Sequence, residues 1–279
     1  MRLTPYALPL TLLLSGFAPQ QDVRLQRQLT EGATEKYKVD MKMNTLMDMP
    51  GGLGEQEMGM TSAAEYELKF GKMNWQIPGM TVDATVTVTK MDAEGMMAGA
   101  MAGQGLPKPI TMKAYMDLQG RLLPLKTQGA GGAMDLMGMQ SFSFTTISIP
   151  LPAKPVKVGE SWQVPVPKGM MAKKDQFLTA TLTGERDGAW IVSTKGKFDI
   201  EMVPRALPNN TDQPNPMAGQ KIGLKGTIEV DSEGLVEKAT GKTLELKSKM
   251  KTDQTATIPD MGLEIKSQAT VNTTVSLVR

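Results

Sequence analysis

The sequence predicts an all-β protein, a long antiparallel meander that forms either a curved, partly closed barrel or a two-layer sandwich. Three observations point there. Almost every segment beyond residue 30 alternates apolar and polar side chains with period two. No amphipathic helix is long enough to cover the dry face those strands share, so the face must hide against itself. A proline-punctuated run, residues 150–167, separates two sets of similar β-patterned segments and leaves room for a chain built from two similar halves.

The first residues read as a leader. Arg2 forms a short basic start, and Ala7 to Phe17 is an apolar run too short to span a bilayer, the pattern of a secretory signal over residues 1–18. Gly16 and Ala18 are small enough for cleavage, although Pro19 is an awkward follower. Leu13 to Phe17 resembles a bacterial lipobox with Phe17 where the lipidated cysteine would stand; without a cysteine there is no lipid anchor. The expectation is export to the periplasm or beyond, with an uncleaved N-terminal anchor as the competing reading. No later segment is apolar enough to span a membrane.

Residues 19–149 make an N-terminal β half. Tyr37, Val39, Met41 and Met43 share one face of a strand, and Tyr66, Leu68 and Phe70 that of a second. Val82, Ala84, Val86 and Val88 alternate with Asp83 and threonines in a third. Trp75 and Ile77 are expected to end the preceding strand before a turn at Pro78 and Gly79. In the connector, residues 150–167, five prolines exclude a helix and confine any strand to a sheet edge, because each lacks the N–H that a ladder needs. Residues 168–279 form the C-terminal half. Leu178, Ala180 and Leu182 lead to a turn from Gly184 to Gly188, and Trp190 and Val192 continue toward Phe198, Ile200 and Met202. Three further one-faced strands carry Ile222 to Val230, Leu244 to Met250 and Leu263 to Leu277.

Asp-x-x-Gly turns recur at Asp117 to Gly120, Asp231 to Gly234 and Asp92 to Gly95, each suited to a short hairpin. They read either as the trace of a duplication or as turns any hairpin-rich chain carries. Three inserts break the alternation. Residues 91–105 and 129–139 are rich in Gly, Ala and Met, and read as short helices or flaps; residues 203–219, rich in Pro and Asn, read as a surface loop.

Composition removes several function classes. The chain has no Cys and no His, which excludes cysteine nucleophiles, Ser-His-Asp triads and the usual zinc sites. Lys plus Arg number 31 against 29 Asp plus Glu, so there is no electrostatic drive toward nucleic acid. Aromatics at 5% and an end at Leu277, Val278 and Arg279 do not suit a membrane barrel. Gly241, Lys242 and Thr243 fail as a phosphate loop, since Val236 stands where its first glycine belongs and a strand follows where a helix is needed. Ser248 and Lys251 match the spacing of a serine acyl-enzyme only as text, because strand positions three apart face opposite ways. Carboxylates occur in every turn without any pair standing out, so neither catalytic residues nor a cofactor are expected.

The 24 methionines are the remaining signal. Thioethers are soft ligands for Cu(I) or Ag(I), and they are also pliable apolar groups that line adaptable surfaces. Met41 and Met43 continue the alternation of Val39, which is what core filling predicts. Met96, Met97, Met101, Met134, Met137 and Met139, in the two inserts, are the candidate ligand-binding residues.

The segment from Lys154 to Trp162, followed by strand repeats, resembles uncharacterised secreted and lipoprotein families of bacterial envelopes. The one-faced meander is more distantly similar to the lipoprotein carriers, in which a half-open barrel cups acyl chains under a lid. That resemblance implies a non-enzymatic envelope protein holding a lipid or other apolar partner on a concave face under Met-rich flaps. The alternatives are a purely structural envelope protein and a Met-thioether Cu(I)/Ag(I) binder.

Overall fold

The computed structural model describes residues 22–49, 54–74, 76, 78–95, 98–99, 105–124, 147–166, 175–206 and 219–279. The strands are β1 (Thr34–Met49), β2 (Gly54–Asn74), β3 (Gly79–Gly95), β4 (Ile110–Asp117), β5 (Leu122–Pro124) and β6 (Ser161–Pro165), then β7 (Phe177–Arg186), β8 (Ala189–Ala206), β9 (Lys221–Glu237), β10 (Thr243–Ile258) and β11 (Leu263–Val278). All eleven join one antiparallel sheet in the order β5-β4-β3-β2-β1-β11-β10-β9-β8-β7-β6. Of the two packings open to a one-faced meander, the chain takes the single curved sheet, not closed into a barrel.

Its topology is a meander whose start and finish lie in the middle. β1 pairs with β11 from Lys36 opposite Val278 to Asp48 opposite Lys266, so the first and last strands form the central seam. The connection from β5 to β6 therefore has to travel from one edge of the sheet to the other. Its described part, residues 147–160, lies on the dry side: Ile147, Ile149, Leu151 and Val156 are all buried in one apolar cluster with β4 and β5 residues such as Met116 and Leu122 and with β6 and β7 residues such as Val164 and Leu182. The Ile149 N–H donates to Thr243 Oγ1 at the start of β10, and the Leu151 N–H to the Gln119 carbonyl beyond β4. The connector thus ties both halves together through their shared core.

The segment before β1 crosses the same end. Val23 bridges Val156 in both directions, the Arg27 N–H donates to the Leu118 carbonyl and the Gln28 N–H to that of Thr240, while Leu25 is buried. Strap and connector together plug one end of the curved sheet with apolar side chains, and this is where most of the burial lies.

Local chemistry explains the elements. Glu65, Glu67 and Lys69 face water while Tyr66, Leu68 and Phe70 are buried. The β7–β8 hairpin turns on Asp187 and Gly188, both at positive φ (51° and 76°), the two-residue geometry that follows the twist of the strands it joins. As the prolines require, β6 is an edge strand, ending at Pro165. Beyond the reach of β7, the Gln176 side-chain amide occupies the free edge of β8, donating to the Asp199 carbonyl and accepting its N–H at 2.7 Å each. A side chain stands there for the missing strand and blunts the edge.

Several expected boundaries change. Only Asp117 to Gly120 is a turn: Asp117 Oδ1 accepts the N–H groups of Gln119 and Arg121, and Gly120 has φ 73°. Asp231 to Gly234 lies inside β9, and Asp92 to Gly95 forms the last residues of β3. The insert at 91–105 therefore begins after Gly95, and Val203 to Ala206 of the expected surface loop continue β8. Trp75, Ile77, the leader and residues 129–139 lie outside the described residues.

Candidate functional site

The strand register resolves the dry face into rows that run across the sheet. Nearest the plugged end, Val39, Val275, Leu246, Gly234 and Val192 sit side by side and are all buried, while Ala64, next in the row on β2, is half-buried. Two residues further along every strand comes Ser62, Met41, Thr273, Ser248, Ser232 and Thr194. That row is almost entirely hydroxyl, and only Thr194 in it is buried. The third row, Met60, Met43, Val271, Met250 and Val230, is apolar again, yet all but Val271 are only half-buried. Beyond it Phe198, Ile200 and Ile228 form a separate small cluster with Leu224 and Val230 around them.

The dry face is therefore two apolar surfaces divided by a stripe of hydroxyls. The first is filled by the strap and connector. The second, toward the end of β1 and the start of β2, keeps its methionines partly open to solvent: Met43, Met47, Met58, Met60, Met91 and Met250 all share this side. Met41 and Met43 continue the alternation of Val39 as expected, but past the filled core. Residues two apart in a strand point the same way, so the spacings Met41/Met43, Met47/Met49 and Met58/Met60 were the available signal. The six methionines expected to bind ligand, Met96, Met97, Met101, Met134, Met137 and Met139, lie outside the described residues.

A buried charged cluster, unanticipated from sequence, locks the strap onto the plugged end. The Arg27 guanidinium pairs with Glu35 Oε2, Tyr37 Oη donates to the same oxygen at 2.9 Å, and Lys242 Nζ lies 3.3 Å from Oε1. Arg27 and Glu35 are 2% and 5% exposed, and Arg27 also lies over the Phe70 ring at 6.0 Å. Arg27 Nη1 has no hydrogen-bond partner among the described residues. With both Glu35 oxygens engaged, the cluster is a latch.

Burial first, and then the negative charge of Glu35, push the Tyr37 phenol above its ordinary value of 10.0; Arg27 opposes this and Glu237 adds to it. Its folded form therefore keeps the proton after the unfolded chain has begun to lose it. Stability from this group is complete below about pH 10 and falls as pH rises from there, by up to about 1.4 kcal/mol per pH unit. Urea unfolding on the alkaline side should show this loss in the native chain and a flatter profile in Tyr37→Phe. Parallel losses in the two proteins would remove the phenol as the cause.

Among the described residues no three His, Cys, Asp or Glu side chains are grouped to hold a metal ion, and no helix is long and apolar enough to cross a membrane.

No protein-family model matches the chain, and no curated protein matches it. Among solved structures, one of lipovitellin, concerned with lipid–protein interactions, is similar at 12% identity with a TM-score of 0.45, over 90% of this chain and 26% of that one. So remote a likeness transfers no ligand.

Proposed function

We propose that this chain is an exported, non-enzymatic protein of a bacterial envelope that binds an acyl chain or similar apolar ligand on the open part of its dry face. The observation that carries this reading is the half-buried row of Met60, Met43, Met250 and Val230 beyond the hydroxyl stripe. Apolar side chains held at the surface in register gain free energy when covered, about 1.5–3 kcal/mol each if buried fully. Thioether chains adapt to ligands of differing shape. Export is supported by the leader over residues 1–18, and the non-enzymatic reading by the absence of His and Cys. The resemblance to lipoprotein carriers points the same way, with one departure: among the described residues only Ala98 and Gly99 are helical.

Organic extraction of the purified protein followed by mass spectrometry should recover acyl lipids. The double variant Met43→Gln/Met250→Gln should weaken binding of a fluorescent fatty acid by at least about tenfold. Lipid-free protein, or a variant that binds as well as the native chain, would leave a purely structural role. Sequencing the N-terminus of exported protein should place the cut near residue 18; mature protein that still begins at Met1 would overturn the leader.

A further inference from the structure

We propose that the opposite, polar face carries a second binding site, an open trough that takes a neutral, hydroxyl-rich chain, an oligosaccharide. A twisted sheet is a saddle, so the face that is convex along one diagonal is concave along the other. On this sheet the polar concavity has a volume of about 740 Å³ and runs across seven strands, from β8 to β3. That is the size of a small-molecule site.

Register identifies its floor and walls. Lys197, Glu229 and Lys251 stand directly opposite one another on β8, β9 and β10. The same row continues through Thr270 and Asn44 to Gly59 and ends at Glu94 on β3. The middle is small and uncharged. Gly59 matters there: a β-carbon would sit 3.2 Å from Glu94 Oε2, so its absence lets the Glu94 carboxylate lie across the floor. A second row, from Asp253 through Gln268 and Leu46 to Glu57, runs beside the first.

The trough joins its concavity to charges that are not spent on one another. Elsewhere on this face some cross-strand neighbours of opposite sign pair closely, as Lys195 with Asp231 at 3.2 Å, Lys36 with Glu67 at 3.0 Å and Lys113 with Asp83 at 2.9 Å, while others, such as Lys38 opposite Glu65, do not. Within the trough, Lys197 and Lys251 both face Glu229 across the ladder, yet none of the three makes an ion pair among the described residues, nor do Glu57, Glu94 or Asp253.

The mixture of signs selects the ligand class. Three lysines and four carboxylates interleave along the lining, so a polyanion or polycation meets repulsion wherever it meets attraction. A hydroxyl suffers no such conflict, because it donates to a carboxylate and accepts from an ammonium. Hydrogen bonds to charged partners are the stronger kind. The amide groups of Asn44 and Gln268 and the Thr270 hydroxyl serve both directions in the uncharged middle. A peptide strand would need a free sheet edge, which a face does not offer. From Glu229 on β9 to Glu57 on β2 is four strand steps, roughly 19 Å, room for several sugar rings in a row.

The test is an NMR titration of the native protein with maltotetraose, cellotetraose and chitotetraose, beside heparin as the polyanion. At least one neutral oligosaccharide should bind saturably and shift the Asn44, Lys251 and Thr270 amides, with an affinity that changes less than about twofold as salt is raised. Thr270→Trp, which fills the floor with a good strand former, should weaken that binding at least about tenfold while the thermal midpoint stays native. Three results overturn the proposal: no saturable shift with any neutral oligosaccharide, heparin binding more tightly than all of them, or a correctly folded Thr270→Trp that binds as the native chain does.

Discussion

Glu35→Ala lowers the unfolding free energy by about 3–5 kcal/mol, the cost of leaving a buried charge without its partner. Arg27 is 2% exposed, one of its two terminal nitrogens is already unpartnered among the described residues, and Glu35 is the carboxylate that neutralises it. Removing Arg27 is the milder lesion. Glu35 would still accept from Tyr37 and lie 3.3 Å from Lys242, which reaches water, so Arg27→Met should cost about 2 kcal/mol. Removing both charges together, Arg27→Met/Glu35→Met, should cost less than Glu35→Ala alone, since no orphan charge remains and the apolar surround of Leu25 and Phe70 can close over the methionines. Urea unfolding gives all three values. If Glu35→Ala shifts the curve by less than about 1 kcal/mol, or the double variant is the least stable of the set, the strap is not held by this latch.

The latch also shows where sequence reading reaches its limit. Alternation revealed the strands and their dry face because burial acts every second residue, and Tyr37, Val39, Leu68 and Val82 are buried as that pattern demands. The prolines placed β6 at an edge because a missing N–H is a local fact, and Asp187 with Gly188 announced a hairpin for the same reason. Strand order is different. Nothing near Lys36 tells it that Val278 lies opposite, so the central β1–β11 seam and the crossing connector carried no local mark. The hydroxyl stripe was hidden likewise: Ser62, Thr273, Ser248 and Ser232 each interrupt one apolar run, and only register shows that they interrupt it at the same height. Arg27 sits before the first alternating segment, where a lone arginine reads as a solvated group.

Glycine misled most, and Gly234 most of all, because its partner is distant in sequence. It lies within β9 directly opposite Val192 and Leu246, and the space its side chain would take is filled by Ile149 from the connector. A β-carbon there would overlap Ile149 Cδ1 and approach the Glu245 carbonyl oxygen to 2.9 Å. Gly234→Val should therefore cost about 3 kcal/mol or more, the upper end for overpacking, because backbone as well as side chain must give way. Ile149→Ala alone, at a position only 3% exposed, should cost about 2–5 kcal/mol through the cavity it leaves. The pair should not add. In Gly234→Val/Ile149→Ala the new valine enters the room that the isoleucine vacates, so the double variant should recover at least about 1 kcal/mol of the summed losses. Strict additivity would mean that residues 147–151 do not cross this point of β9, and the single core joining the two sides of the sheet would lose its keystone.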